Sequence, residues 1–320
     1  MALAVQVHGQ YPLKQQDALR DAVLAGFSVS PKWLPPKFFY DRRGSELFEA
    51  ICRQPEYYLT RTEEQILVRA VREIGELTGP GADLLEFGSG ASHKVRLLLE
   101  ALRPARYLGI DISEDFLLSS TRRLAADYPW LDVHAFCSDF SQCAILPEGF
   151  ASEHALAFFP GSSLGNFTPP QARRFLSELQ QLLPKGGGLL IGIDLVKDRK
   201  ILEAAYNDAA GITAAFNLNL LERIRNELDS DIDRSRFRHR AFFNEIESRI
   251  EMHLISKTTQ DVNIEGRQFR FENDESLHTE NSYKYSLESF TALAKSAGFE
   301  PMACWTDLKE LFSVHYLVRS

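Results

Sequence analysis

Cysteine, methionine and tryptophan are all scarce in this chain: four, three and three of 320 residues. Cys52, Cys137, Cys143 and Cys304 show no metal-ligand spacing, so no structural metal site is expected. They are also too few for a disulfide scaffold, and reduced thiols in a cytoplasmic setting fit all four. No apolar run reaches the ~18 residues that cross a bilayer, and the N-terminus lacks a signal-peptide pattern. No membrane partner is therefore expected. Basic residues are outnumbered, 36 Lys and Arg against 44 Asp and Glu, for a net charge of −8. Without a Lys/Arg cluster, no nucleic acid partner is expected either, because phosphate binding wants a basic surface. Repeats and low-complexity tracts are absent as well. What remains is a globular chain, 44% hydrophobic and 25% charged, long enough for one large domain or two small ones. A monomer acting on a small molecule is the expectation.

One missing glycine is informative. Residues 83–90 read DLLEFGSG: an apolar run ends in Glu86, then comes Gly88-Ser89-Gly90, then Lys94, Val95, Leu97, Leu98 and Leu99. This is a strand, a tight turn and a helix N-terminus. Glycines belong there because a ligand approaches the backbone more closely than a Cβ would allow. The dinucleotide fingerprint G-x-G-x-x-G has His93 in its third glycine position. The shorter turn suits a nucleoside without a pyrophosphate, although an ordinary strand-to-helix turn reads similarly. About twenty residues later, where an acid takes the ribose hydroxyls, residues 107–113 form a second buried strand containing Asp111. A third strand, 133–137, runs into Ser138-Asp139-Phe140, an acid for the adenine amine and a ring for its face. Three strand ends, each with an acid, are the arrangement of a class I S-adenosylmethionine methyltransferase. Nicotinamide dinucleotide dehydrogenases share the first two features but carry a fuller glycine set. The expected donor is S-adenosylmethionine, bound by Glu86, Gly88, Ser89, Gly90, Asp111, Asp139 and Phe140.

Elsewhere the pattern predicts a helix over 15–26, a helix capped by Ser45 that contains Leu47, Phe48 and Ile51, and a helix over 63–77. Thr62 and Gln65 would form a capping box for the last of these. Phe38, Phe39, Tyr40, Tyr57 and Tyr58 cluster at proline turns, where packing is the commonest role. A fourth strand, 155–159, enters a Gly/Ser-rich loop with Asn166, at the sheet edge where α/β proteins place ligands. A plain turn-forming Asn-Phe reads equally well there. A helix over 171–183 and a fifth strand over 189–196, with Asp194 inside an apolar run, complete five alternations. The fold class is α/β, Rossmann-like, with a mostly parallel sheet between helices. The pattern then breaks. Residues 201–228 read as helical, 242–255 as an antiparallel strand or pair, and 268–272 as alternating. A helix over 287–297 ending at Gly298 and two strands, 302–306 and 312–318, close the sheet with an antiparallel edge. Residues 61–195 and 287–320 are expected to form the donor-binding domain. Residues 1–60 and 196–286 are expected to form an α+β substrate lobe.

The segments FFYDRRGSELFEAICRQPEYYLTRTE, LLEFGSGASHKVRLLL, FFPGSSLGNF, IGIDLVKD, LEAAYND and HTENSYKY lie in this order between residues 38 and 285. Together they resemble the histidine-specific S-adenosylmethionine-dependent methyltransferases, the Nα-trimethylating enzymes of ergothioneine biosynthesis. The resemblance covers most of the chain, and the tyrosine turns, GSSLGNF and TENSYK are far more specific than the glycine loop. It implies that Asn166 and Tyr206 hold the substrate carboxylate, and that Tyr57 contacts the amine being methylated; these three are the expected catalytic set. It places Tyr40 near the imidazole and the donor, Glu280 and Ser282 on the imidazole nitrogens, and Met252 along that pocket. On the donor side it adds Lys94, and Gly161 of the Gly/Ser-rich loop is expected to bind the donor as well. The implied reaction converts L-histidine to Nα,Nα,Nα-trimethylhistidine by three methyl transfers. A same-fold enzyme acting on another amine, such as a tryptophan derivative, is the alternative. His93 and Leu59 depart from the family pattern without an assignable consequence.

Overall fold

The computed structural model describes residues 5–9, 15–90, 93–139, 146–151 and 153–320. The chain divides into two compact units. Unit one comprises Met1–Tyr11, Leu59–Val196 and Tyr283–Ser320; unit two comprises Pro12–Tyr58 and Lys197–Ser282.

Unit one is built on an eight-stranded sheet. Its strands run Gln6–Gly9, Asp132–Cys137, Arg106–Asp111, Asp83–Phe87, Ala155–Phe159, Gly188–Asp194, Phe312–Arg319 and Phe299–Thr306. The first six are parallel, and the last two pair antiparallel. Three central strands, Asp83–Phe87, Ala155–Phe159 and Gly188–Asp194, are buried at every residue, which is why they read as continuous apolar runs. Their side chains form one core cluster with those of the flanking helices Pro169–Leu182 and Leu287–Ser296. Phe87, Phe159 and Phe175 meet with ring centroids 4.9 to 6.5 Å apart. Each such side chain contributes about 1.5–3 kcal/mol on burial. Strand order reverses at Asp83–Phe87: the chain moves first to one side of it and then to the other. That reversal opens a crevice beyond the carboxyl ends of the strands, and it falls at the glycine turn.

Several expectations are corrected here. Residues 6–9 form a strand parallel to Asp132–Cys137, so this stretch belongs with the sheet rather than with a substrate lobe. Thr62 caps nothing. The helix spans Tyr58–Thr78, one turn earlier than its expected start, because Tyr58 and Leu59 are themselves buried. Capping boxes lie instead at Ser286 with Ser289 and at Thr168 with Gln171, where prolines open the helix Pro169–Leu182. Asp194 is tolerated inside its apolar strand because Lys284 pairs with it at 2.7 Å, both side chains fully enclosed.

Unit two holds a four-stranded sheet in the order Lys32–Trp33, Ser276–Tyr283, Arg249–Ser256, Phe237–Asn244. The alternating stretch 242–255 is a hairpin of the last two, turning at 245–248. A second hairpin, Gln260–Ile264 with Arg267–Phe271, turns at Glu265 and Gly266, φ 52° and 74°. Paired positive φ values there match the twist of the flanking strands. The expected helix over 201–228 is two helices, Arg199–Ala205 and Ile212–Glu227. They separate because the Asp208 carboxylate accepts from the N–H groups of Ile212 and Thr213, both at 2.7 Å, while Gly211 takes φ 71°. Ser45 lies inside the helix Arg42–Cys52, whose cap is Asp41 accepting from Gly44 N–H at 2.6 Å.

Candidate active site

The strand Asp83–Phe87 delivers the chain to Gly88 and Gly90, at φ 71° and 49°. The N–H groups of Gly88 and Ser89 both donate to the Ile110 carbonyl, at 2.8 and 3.2 Å, tying the turn to the neighbouring strand. Gly90 N–H donates to one oxygen of Asp111 and Ser113 N–H to the other, each at 2.9 Å. Burial raises the Asp111 carboxyl above its ordinary range, and these N–H donors oppose the rise. The Ser89 hydroxyl is buried and has no partner. An orphaned hydroxyl in a glycine turn is what a turn built for a ligand leaves over. The residues present therefore fit a nucleoside donor. Asp139 follows the next strand end, and Phe140 lies outside the described residues.

Glu86 takes a different part from Asp111. Its carboxyl accepts from the Tyr107 hydroxyl at 2.5 Å and is 1% exposed. Burial pushes it up to about 8, against the opposing pull of the Tyr107 bond and of Lys94. Near neutral pH it is thus predominantly a carboxylic acid. Lys94, at the start of the helix His93–Leu102, pairs with Glu63 at 2.5 Å. Gly161, with φ 80°, donates its N–H to the same carboxylate.

Six of the expected substrate residues fall in unit two. Tyr57 is buried, and burial drives its phenol well above the ordinary value; Tyr206, Cys52, Tyr40 and Glu280 push the same way. That direction favours the neutral hydroxyl over the phenolate. The Tyr57 and Tyr206 rings meet edge-on at 6.3 Å. The Tyr206 hydroxyl donates to Ser282 Oγ at 2.8 Å, joining the end of the helix Arg199–Ala205 to the strand Ser276–Tyr283. On that strand Glu280 and Ser282 are two residues apart and share a face. Met252 is 1% exposed, and its carbonyl accepts from the Thr279 hydroxyl at 3.0 Å. Tyr40 packs edge-on against Phe48 and Phe216, at 5.6 and 5.8 Å. Asn166 belongs to unit one, half-buried in the 3-10 turn Ser163–Asn166.

Among the described residues one group brings three ligating side chains within reach of a single ion: Glu251, His253 and His278. No sequence spacing marks it. One Glu251 oxygen already accepts from Arg249 at 2.8 and 2.7 Å and from Asn244 at 2.9 Å; the other meets His253 Nε2 at 2.9 Å. Burial opposes its ionisation, but those bonds outweigh burial and bring it to about 2. The His253 and His278 rings stack at 4.5 Å, and burial pushes His253 down to about 4. A cation would share its carboxylate with a guanidinium, so the group is better explained as a hydrogen-bonded stack. It supports the pocket: His278 Nε2 bonds to the Glu280 carbonyl at 3.0 Å, which requires the proton on that nitrogen.

The family model described as "Histidine-specific methyltransferase, SAM-dependent" matches residues 19–319. The chain belongs to this family. It is an S-adenosylmethionine-dependent methyltransferase. It is 42% identical to "Histidine N-alpha-methyltransferase" of Mycolicibacterium smegmatis over 311 residues, which cover 95% of each chain. It is 38% identical over 297 residues to the protein of the same name from Mycobacterium tuberculosis, covering 91% of each. "Ergothioneine biosynthesis protein 1" of Neurospora crassa is 31% identical over 91% of this chain, which spans 33% of that longer protein.

Three residues that contact expected site residues escaped sequence reasoning. Glu63 was readable only as the first residue of a helix, and Tyr107 only as a strand hydrophobe. Phe216, which backs Tyr40, was one apolar residue in a long helical tract. Each acts through a contact with a residue distant in sequence, and no local pattern encodes such a contact.

Proposed function

We propose that this methyltransferase converts L-histidine to Nα,Nα,Nα-trimethylhistidine in three successive transfers, the opening step of ergothioneine biosynthesis. The printed names of its relatives support the substrate and the pathway. The observation that carries the reading is the polar cluster of unit two, where Tyr40, Tyr57, Tyr206, Glu280 and Ser282 gather around one neighbourhood. In this reading Asn166 and Tyr206 hold the carboxylate of the amino acid, Glu280 and Ser282 take the imidazole nitrogens, and Met252 lines the ring. Unit one supplies the donor site through Glu86, Gly88, Ser89, Gly90, Lys94, Asp111, Asp139, Phe140 and Gly161.

S-adenosylmethionine supplies an electrophilic methyl for in-line displacement by a neutral amine. The protein's contribution is positioning. Tyr57, as a neutral phenol, orients the amine without taking its lone pair. As methyls accumulate the nitrogen becomes a permanent cation, and the faces of Tyr40 and Tyr57 tolerate it. Glu280 selects the imidazole, because a substrate lacking its N–H leaves a carboxylate unpaired. Burial raises the Cys137 and Cys304 thiols to about 11, which lowers their thiolate fraction, and the proposed setting is the cytoplasm. All proposed residues lie on one chain, so a monomer suffices.

Mass spectrometry of products from purified protein, S-adenosylmethionine and a panel of free amino acids tests this directly. The expected result is a gain of three methyls on histidine alone. A product halted at one methyl with donor in excess, or methylation of another amino acid instead, would overturn the reading.

A further inference from the structure

Glu63 has no place in the assignment above, yet its side chain is only 1% exposed. It projects from the helix Tyr58–Thr78 into a spot where two other elements converge. One oxygen accepts from Lys94 Nζ at 2.5 Å, and both accept from Gly161 N–H, at 3.0 and 2.9 Å. A Cβ placed on Gly161 would lie 3.7 Å from the same lysine nitrogen. The strand Gly188–Asp194 makes room as well: a Cβ on Gly192 would come within 2.0 Å of the Glu63 carboxylate. A buried carboxylate is retained only where its charge and lone pairs are met, and here a cation and a backbone amide meet them.

Lys94 sits in the first turn of the helix that follows the glycine turn, where the helix dipole favours anions as well. The donor's one anionic group is the carboxylate of its amino-acid end, opposite the ribose assigned to Asp111. Lys94 is the natural partner for that carboxylate, provided the long, flexible side chain is aimed. Residues 161 and 162 both hold positive φ, 80° and 57°, so the loop beside it also needs an outside restraint. We propose that Glu63 is a positioning residue for the amino-acid end of the donor. Its one carboxylate sets the direction of the Lys94 ammonium and pins the loop at Gly161. This inference rests on the donor-site reading given above.

Calorimetric titration with S-adenosylhomocysteine reads the effect without turnover. Glu63→Gln is expected to weaken binding tenfold or more and to raise the KM for the donor in parallel. The KM for histidine at saturating donor should stay within twofold. In a Lys94→Ala background the same substitution should cost less than threefold further, because its target is already gone. Wild-type affinity in Glu63→Gln, losses that multiply fully across the two sites, or equal loss for both substrates would each overturn the proposal. Should Glu63→Gln fail to fold, Gly192→Ala displaces the carboxylate while keeping its charge; the same selective loss is expected, and unchanged affinity refutes the idea. If the wild-type protein itself bound no S-adenosylhomocysteine, the donor-site reading would fall first, and this inference with it.

Discussion

Glu86 and Asp111 stand at the ends of neighbouring strands, and their surroundings divide them. Asp111 receives two backbone N–H groups, whereas Glu86 has the Tyr107 phenol as its hydrogen-bond partner, feels Asp111 and Glu63 as well as Lys94, and holds its proton to about 8. Linkage turns this into a dependence of stability on pH. Below the ordinary glutamate value of 4.5 both folded and unfolded chains are protonated, and the contribution is fully present. As pH rises towards 8 the unfolded chain gains a charge that the folded one refuses, and that stability is lost. Glu86→Gln keeps an acceptor for Tyr107 and removes the titration. Its melting temperature is expected to match the wild type near pH 5 and to exceed it at pH 8.5, as measured by differential scanning fluorimetry. An equal shift at both pH values would show that packing, not ionisation, is what the substitution changed.

Among the elements, the short helix Arg42–Cys52 shows how one residue can serve two neighbours. Asp41 caps it and also accepts from the Asn219 side chain at 2.9 Å, linking it to the helix Ile212–Glu227. Tyr40 precedes that cap directly, so the bond also fixes the entry of a residue proposed for the substrate site. Asp41→Ala should lose about 0.5–2 kcal/mol from the cap alone, with the Asn219 bond in addition. In urea the midpoint should fall while the slope is unchanged. A midpoint within error of the wild type would mean that water replaces both bonds at no cost. Helix starts are also where pattern reading went wrong. At Ser45 and Thr62 a plausible capping residue was present, but Asp41 took the cap in one case and the helix began at the buried Tyr58 in the other.

For the molecule as a whole, a ligand that binds only the folded state stabilises it by mass action. S-adenosylhomocysteine at a hundredfold excess over its Kd should add about 2.7 kcal/mol. A nicotinamide dinucleotide should add none, because His93 stands where its pyrophosphate turn would need a glycine. Thermal shift with both ligands checks this, and stabilisation by the dinucleotide alone would return the glycine turn to a dehydrogenase reading. Unit one accounts for this expectation by itself, since the proposed donor residues all belong to it.

The alternation of buried strands with helices, the glycine turn and the acids at successive strand ends were legible because each is encoded within a few adjacent residues. Continuous apolar runs mark doubly covered strands, and a glycine marks a backbone that must bend sharply. The tyrosine turns and the TENSYK segment were legible only as motifs; their sequence alone does not say that Tyr206 reaches Ser282, 76 positions away. Local patterns and motifs along the chain were enough for the fold class and the family. Tertiary structure alone decided that residues 6–9 join the sheet, that one helical tract is two, that Asp194 is answered by Lys284, and that Glu63 holds Lys94 and Gly161 together. The reason is physical: periodicity reports which face of an element is covered, whereas a buried charge reports nothing until the chain has brought its partner to it.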